Sequence, residues 1–458
     1  MNFSRLKKSL KISVLLGILS WCDFATALNP IVVTKDLVSV EDWLKTQTPI
    51  SYEKLLNNIN PPGTVHGVVV ASPQTENPNY FRHWIRDSAL VMDVILQKSQ
   101  RAETYHERKI LNQLILKYMN FSIDSQNRAG LGEPIFEVSG LPFLGPWGRP
   151  QNDGPALRSI VFSKLALSLI KDGKSDFVKK YLYNAEWPAN TLIKRDLEYV
   201  AAEWGNPCFD LWEEVKAKHF YTQMVQRRAL QMGAQVAAAM KDFGAADWYL
   251  RQVMKLDQSL KRFLPTVSMV SMVSKDSKFG KNYIVASVDW TEGLSSKVSG
   301  LDISVILGVL HGESEGSISV VDTKVLNTFT KLIETFSQLY PINRTYSNML
   351  PAIGRYPEDI YAGSNFDGGN PWVLTTLAMA EYSYKVAAVN HSQKWLTIGD
   401  EFMLRVQLHA NPDGSLSEQI DRFSGYMSSA RDLTWNYAAF LTTAWARENA
   451  LQNLKKSN

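Results

Sequence analysis

Two cysteines in 458 residues are too few for a disulfide framework, and Cys22 falls in an N-terminal stretch that reads as removable. That leaves Cys208 alone, so packing rather than cross-linking has to hold the mature chain. Long hydrophobic runs are missing too. The most apolar, Ile12 to Trp21, spans about ten residues, half of what a stable membrane crossing needs. There is no block of basic residues, and a net charge of only +4, part of it N-terminal, argues against nucleic acid as a partner. The seven histidines show no metal-ligand spacing; isolated ones such as His311 and His409 read as structural, and neither metal nor cofactor is expected. Strand-like alternation is confined to 266–274 and 283–289, and no internal repeat or low-complexity linker breaks the chain.

What is present begins with an export signal. Arg5, Lys7, Lys8 and Lys11 form a positive region, the apolar run follows, and Ala25-Thr26-Ala27 offers a small-residue cleavage site. The expectation is a signal peptide over 1–27, a single domain over 28–458 and secretion, with retention in a periplasm or vacuole left open. Past residue 40 the chain reads as helical. In 106–121, Leu111, Leu114, Ile115 and Tyr118 fall on one helical face, whereas 156–171 is apolar all round, as expected of a helix covered on both sides. Further helices are expected near 88–100, 189–203, 222–241, 244–262, 321–339, 371–388, 392–408 and 431–449. Between them lie long segments rich in Gly, Pro, Asn and aromatic residues: 61–84, 128–154, 204–212, 341–370 and 411–430. Loops of that length are usually functional or disordered, and these carry too many rings for disorder in a chain with 13 Trp and 18 Tyr. Short turns alternating with long loops suggest a ring of helix pairs with the loops crowded at one end.

The loops carry the chemistry. Asp210-Leu211-Trp212-Glu213-Glu214 sets three carboxylates around a tryptophan; a carboxyl held against an aromatic wall has its charged form disfavoured and can serve as an acid. Adjacent glutamates on a solvated helix would be the bland origin of such a cluster, so its surroundings decide. Arg86-Asp87 forms a donor–acceptor fork suited to vicinal sugar hydroxyls, beside Tyr80 and Trp84. Trp147 with Arg149 and Asn152, and Arg355 with Tyr356, repeat the pairing of ring and polar group. Glu418 follows an Asn-Pro-Asp-Gly turn signal and puts a carboxylate on a distant loop.

Seven runs, in order, carry a resemblance to the glucoamylases of glycoside hydrolase family 15: Ser72 to Ser88, Gly130 to Pro134, Trp147 to Arg158, Asp210 to Val215, Gly354 to Asp359, Gly369 to Trp372, and Ser417-Glu418-Gln419 with Leu433-Thr434-Trp435. They cover nearly all of the mature chain. The resemblance implies an all-α (α/α)6 barrel and exo-acting, inverting release of β-D-glucose from the non-reducing ends of α-1,4-glucans, with α-1,6 ends cut more slowly. Glu213 would be the general acid and Glu418 the base that activates water from the opposite face, with the two carboxyls roughly 6.5–9.5 Å apart. Asp210 is a further catalytic candidate, whose charge would help keep Glu213 protonated. Arg86, Asp87, Arg355, Leu211, Trp212 and Glu214 would hold the terminal glucose, Tyr80 and Trp84 would line the wall, Trp147 would cover the next sugar, and Trp435 would close another side.

Two departures from the family pattern qualify this. The run Ala362 to Gly368 looks longer than the family's link, so the outer subsites differ, and the chain ends without a β-rich starch-binding module, which favours soluble starch or maltooligosaccharides. Another α-glucoside (dextran, isomaltose or trehalose) and a non-catalytic glucan-binding barrel stay open, although binding alone requires no distant carboxylate pair. The protein is expected to act as a monomer. Asn120, Asn343 and Asn390 stand in N-glycosylation sequons.

Overall fold

A computed structural model describes residues 32–264 and 282–457. The expected signal peptide and the strand expected over 266–274 lie outside the described residues. Twelve helices of nine or more residues follow one another among those described: α1 Val40–Asn57, α2 Ile85–Arg101, α3 Tyr105–Arg128, α4 Asp153–Lys171, α5 Leu192–Glu203, α6 Phe220–Ala239, α7 Phe243–Leu260, α8 Ser304–Gly312, α9 Thr323–Leu339, α10 Val373–Asn390, α11 Gln393–His409 and α12 Thr434–Ser457.

The apolar pattern separates them into two rings. In α4, α6, α8 and α10 most residues are buried on every side, whereas α1, α7 and α9 bury a single stripe. Helices of the first kind need neighbours all round. The packing supplies them: α2 meets α4, α4 meets α6, α6 meets α8, α8 meets α10, α10 meets α12, and α12 returns to α2. The odd-numbered helices pack outside this closed ring, each against an even-numbered one. This is the expected (α/α)6 barrel.

Two helices were given no range from the sequence: Val40–Asn57, within the stretch past residue 40 read only as helical, and Ser304–Gly312. Ser304–Gly312 is short and continuously apolar, so its composition carries no 3.6-residue period to read. The strand expected over 283–289 is found, shifted, at Ser287–Gly293. Of the three sequons, Asn120 and Asn390 are exposed, but Asn343 is buried. Its amide donates to the carbonyls of Phe336 and Ala352, so it is a structural residue rather than a glycan acceptor.

The connections alternate in length. Links leaving an inner helix are as short as 102–104, 240–242 and 391–392, while those leading into one are the long aromatic loops. Inner-helix N-termini therefore all face one end, and that end holds the candidate site. Short antiparallel pairings clamp the loops there: β1 His83–Trp84 with β2 Ile135–Phe136, β3 Cys208–Phe209 with β4 Val215–His219 and β5 Ser287–Gly293, and β6 Gln419–Ile420 with β7 Met427–Ser428.

Inner and outer rings are also tied by buried charge. Arg158 on α4 donates at 2.8 and 2.7 Å to both oxygens of Asp196 on α5, and its third nitrogen reaches Ser125 Oγ on α3. Removing one partner strands the other charge in the core. Arg158→Met is therefore expected to cost about 3–5 kcal/mol, with most of the loss recovered when Asp196→Leu is added. Urea midpoints of the single and double variants check this; a double variant no better than Arg158→Met would contradict it.

Candidate active site

The long loops enclose a cavity of about 600 Å³ above the inner ring. All the residues expected from the sequence line it except Asp210: Tyr80, Trp84, Arg86, Asp87, Trp147, Leu211, Trp212, Glu213, Glu214, Arg355, Glu418 and Trp435. Leu374 and Trp435, from the first turns of α10 and α12, contribute to its wall, and the half-exposed Trp147 stands among the loop residues on the other side. Tyr361, Phe366 and Trp372 complete the aromatic lining.

Glu213 sits at φ +68°, a left-handed backbone that non-glycine residues seldom adopt. The turn is held because Glu213 N donates to Asp210 O, while Asp210 Oδ1 accepts from the amides of Glu214 and Val215. β5 passes directly behind. Gly293, at φ +97°, is required there, since a Cβ would collide with the carbonyl oxygen of Glu214. Three donors converge on one oxygen of the Glu213 side chain: Trp84 Nε1 at 2.9 Å, Gln151 Nε2 at 3.1 Å and Arg86 Nη2 at 3.3 Å, all to Oε1.

Arg86 is buried and serves three acids: Asp153 at 2.8 Å, Glu213 at 3.3 Å and, through Nε, Asp87 at 3.7 Å. That last contact is too long for a hydrogen bond, which leaves Arg86 Nε without a partner. Burial raises the Asp87 carboxyl to about 6 even though Arg86 pulls the other way. Arg86 and Asp87 both line the cavity, so the fork faces it with a guanidinium and a carboxyl.

Across the cavity Arg355 holds Asp359 through two bonds of 2.8 and 2.6 Å and gives a third, at 2.8 Å, to Glu214 Oε1. Tyr356 donates to the other Glu214 oxygen at 2.7 Å. Burial raises the Glu214 carboxyl, with Arg355 and Lys297 opposing it.

Asp210 turns away from the cavity. It is 3% exposed and pairs with Lys297 at 3.0 Å. Burial works to raise it, but Lys297, His219 and the two loop amides hold it down to about 2. An anion fixed in this way shapes the turn and lies outside the cavity lining, unlike the other groups expected at the site.

Glu418 stands on the loop before α12, almost fully buried. Ser429 Oγ donates to its Oε2 at 2.5 Å and Gln419 Nε2 at 3.0 Å. Burial raises this carboxyl to about 7, against the lowering effect of bonds from Ser429 and Tyr80, the charge of Arg355 and the bond from Gln419. Tyr80 also meets Tyr361 OH at 2.9 Å and lies within electrostatic reach of both Glu418 and Glu213. Sequence reasoning missed Lys297, Asp302, Tyr361 and Ser429, and gave no role to Gln151 and Asp153 within the run Trp147 to Arg158. No local signal marks the first four, since each acts on a partner brought close only by the fold.

Comparison with known proteins agrees with this geometry. The chain matches Glycosyl hydrolases family 15 over residues 49–398 and 388–445. The chain belongs to that family. It is 35% identical to the glucoamylase of Blastobotrys adeninivorans, over 91% of this chain and 73% of that one. It is 31% identical to the intracellular sporulation-specific glucoamylase of Saccharomyces cerevisiae, over 92% and 86%. The glucoamylase structure from Saccharomycopsis fibuligera superposes with a TM-score of 0.77 at 29% identity, covering 93% of this chain and 98% of that one.

The Ser429 bond supplies a test of the site's electrostatics. It stabilises the ionised form of Glu418, so Ser429→Ala should move the Glu418 titration upward. A bond to a charged group is worth roughly 1.5–3 kcal/mol, which corresponds to a shift of about one pH unit or more. Carboxyl-carbon NMR of labelled protein reads this directly; a downward or absent shift contradicts it.

Proposed function

We propose that the protein is a glucoamylase: an exo-acting glucan 1,4-α-glucosidase releasing β-D-glucose from non-reducing ends with inversion, and cutting α-1,6 ends more slowly. The observation that carries this is the pair Glu213 and Glu418, two carboxyl groups from loops about 200 residues apart lining one aromatic cavity. A binding protein has no need of that pair.

The terminal glucose is gripped by Arg86 and Asp87, with Arg355, Glu214 and the backbone of Leu211 and Trp212 on the other side, while Tyr80, Trp84 and Trp147 supply ring faces. Glu213 then protonates the glycosidic oxygen. Its three donors all bind Oε1, which leaves Oε2 to carry the proton. Glu418 takes the proton of a water molecule that attacks the anomeric carbon from the opposite face. Tyr80, within electrostatic reach of both carboxyls, lies beneath the positive charge that develops on the sugar. Inner-helix ends close the cavity on one side, so a chain end fits and a chain interior does not. Asp210 acts through the turn it builds.

One observation favours the reverse assignment. Burial raises Glu418 to about 7, the behaviour of an acid rather than a base. α-Glucosyl fluoride separates the two, because its leaving group needs no protonation. Glu213→Gln should lose at least about 10³-fold on maltoheptaose yet retain most hydrolysis of the fluoride, and Glu418→Gln should lose both. The opposite pattern would exchange the roles. Early NMR spectra of the product from the unaltered enzyme should show β-glucose first, and initial α-glucose would exclude inversion.

The expected location follows from the N-terminus: we read residues 1–27 as a cleaved signal and 28–458 as one secreted catalytic domain acting as a monomer. Sequencing of the mature N-terminus should begin near Leu28, and a protein starting at Met1 would refute secretion by this route.

A further inference from the structure

Lys297 lies in none of the sequence runs that marked the site, on the link between β5 and α8. Its side chain is 8% exposed, and its ammonium touches three carboxylates: Asp210 at 3.0 Å, Asp302 at 3.4 Å and Glu214 at 3.6 Å. The ring of Tyr356 lies beneath it at 4.0 Å. Each acid is anchored to a different part of the site. Asp210 ties the turn that holds Glu213 in its left-handed conformation. Asp302, at the start of α8, accepts the indole N–H of Trp212 at 3.0 Å and the amide of Ser304. Glu214 joins the turn to Arg355 and Tyr356.

The charges make the lysine necessary. Asp210, Glu214, Asp302 and Asp359 are four buried or nearly buried carboxylates, and on this side of the cavity Arg355 and Lys297 are the cations that contact them. Arg355 is occupied by Asp359 and Glu214 and makes no ion pair with Asp210 or Asp302 among the described residues. His219 is the other ionisable group near Asp210, but its ring is buried and committed to Cys208 O and Ser287 Oγ. Among the described residues Lys297 is therefore the one lysine or arginine paired with Asp210 and Asp302, and buried carboxylates left without a countercharge repel one another or take up protons.

We propose that Lys297 is the positioning residue of the acid-bearing turn: it binds Asp210, Asp302 and Glu214 together so that Glu213 and the backbone of Leu211 and Trp212 face the terminal sugar. This rests on the reading of Glu213 as the general acid. Lys297 touches no substrate; it acts through the turn and through the local charge.

Lys297→Met keeps the side-chain length and removes the charge. Misplacing the acid should reduce kcat on maltoheptaose on the order of 100-fold, with a much smaller loss on α-glucosyl fluoride. Removing a cation also leaves an excess negative field on Glu213, whose other charged or titratable neighbours are Arg86, Asp87 and Tyr80. The ionised form of Glu213 is then disfavoured, so the basic limb of the kcat/KM profile should move to higher pH. Adding Asp302→Asn restores the charge balance and should bring the limb back toward its original position, and this double variant remains testable should the single one fail to fold. Equal losses on both substrates with an unmoved basic limb in either variant would overturn the proposal. Glu213→Gln, measured alongside, separates the failures: if it too shows equal losses, the assignment of Glu213 is at fault rather than the role of Lys297.

Discussion

Closure of the inner ring is the constraint on which everything else depends. Helices such as Val373–Asn390 and Phe220–Ala239 are buried almost all round, and a helix of that kind cannot lie on a surface. The six inner helices satisfy one another by forming a closed circle with an outer helix behind each. Once the circle is closed and inner and outer helices alternate along the chain, every inner helix must start at the same end. The chain then has no choice about where its long loops go. They gather over six helix N-termini, and a cavity surrounded by residues from five distant parts of the sequence follows from that placement.

That placement creates an electrostatic problem, and the site is organised around its solution. Arg86, Arg355 and Lys297 are each buried, and each contacts two or three carboxylates. Buried ion networks are a poor source of stability, since desolvation cancels much of what pairing returns. The gathering of three such cations around one cavity is therefore better understood as the requirement of a polar ligand. The left-handed turn at Glu213 and the unpartnered Nε of Arg86 belong to the same pattern. Both are local costs that the rigid ring can sustain.

Much of this was legible in the sequence, for identifiable reasons. Arg86-Asp87, Trp147, Asp210 to Glu214, Arg355 and Glu418 stand out because polar groups flank aromatics in loops where a core has no use for them. Helix α4 was readable from its all-round apolarity. The same property hid Ser304–Gly312, where eight of nine residues are apolar or small and allow strand and helix equally. Asp210, a catalytic candidate by the family resemblance, lies outside the cavity lining and pairs with Lys297 beside the left-handed turn at Glu213. Lys297 and Ser429 could not be found locally. Lys297 meets a partner 87 positions away, and Ser429 is recognisable only once the pairing of Gln419 with Ser428 folds it back over Glu418. Supporting groups of this kind are set by tertiary geometry, and sequence pattern does not encode it residue by residue.

The cavity is not uniform from bottom to top, and the difference bears on what the protein selects. Arg86, Asp87, Asp153 and Trp435 occupy first turns of inner helices, where the ring fixes their backbones. Groups that would contact the first sugar are thus as rigid as the core. Trp147 and Phe366, by contrast, are carried by loops, at 36% and 69% exposure, and Phe366 belongs to the run Ala362 to Gly368 that looked long at the level of sequence. Here that run adds an aromatic side chain to the cavity lining and rests against the ring of Tyr361. Variation in such a loop alters contacts to the second and later sugars without disturbing either carboxylate. Under the proposed function, the grip of Arg86 and Asp87 on the first sugar is carried by an inner helix and the preference for linkage and chain length by the rim, so the two can change independently.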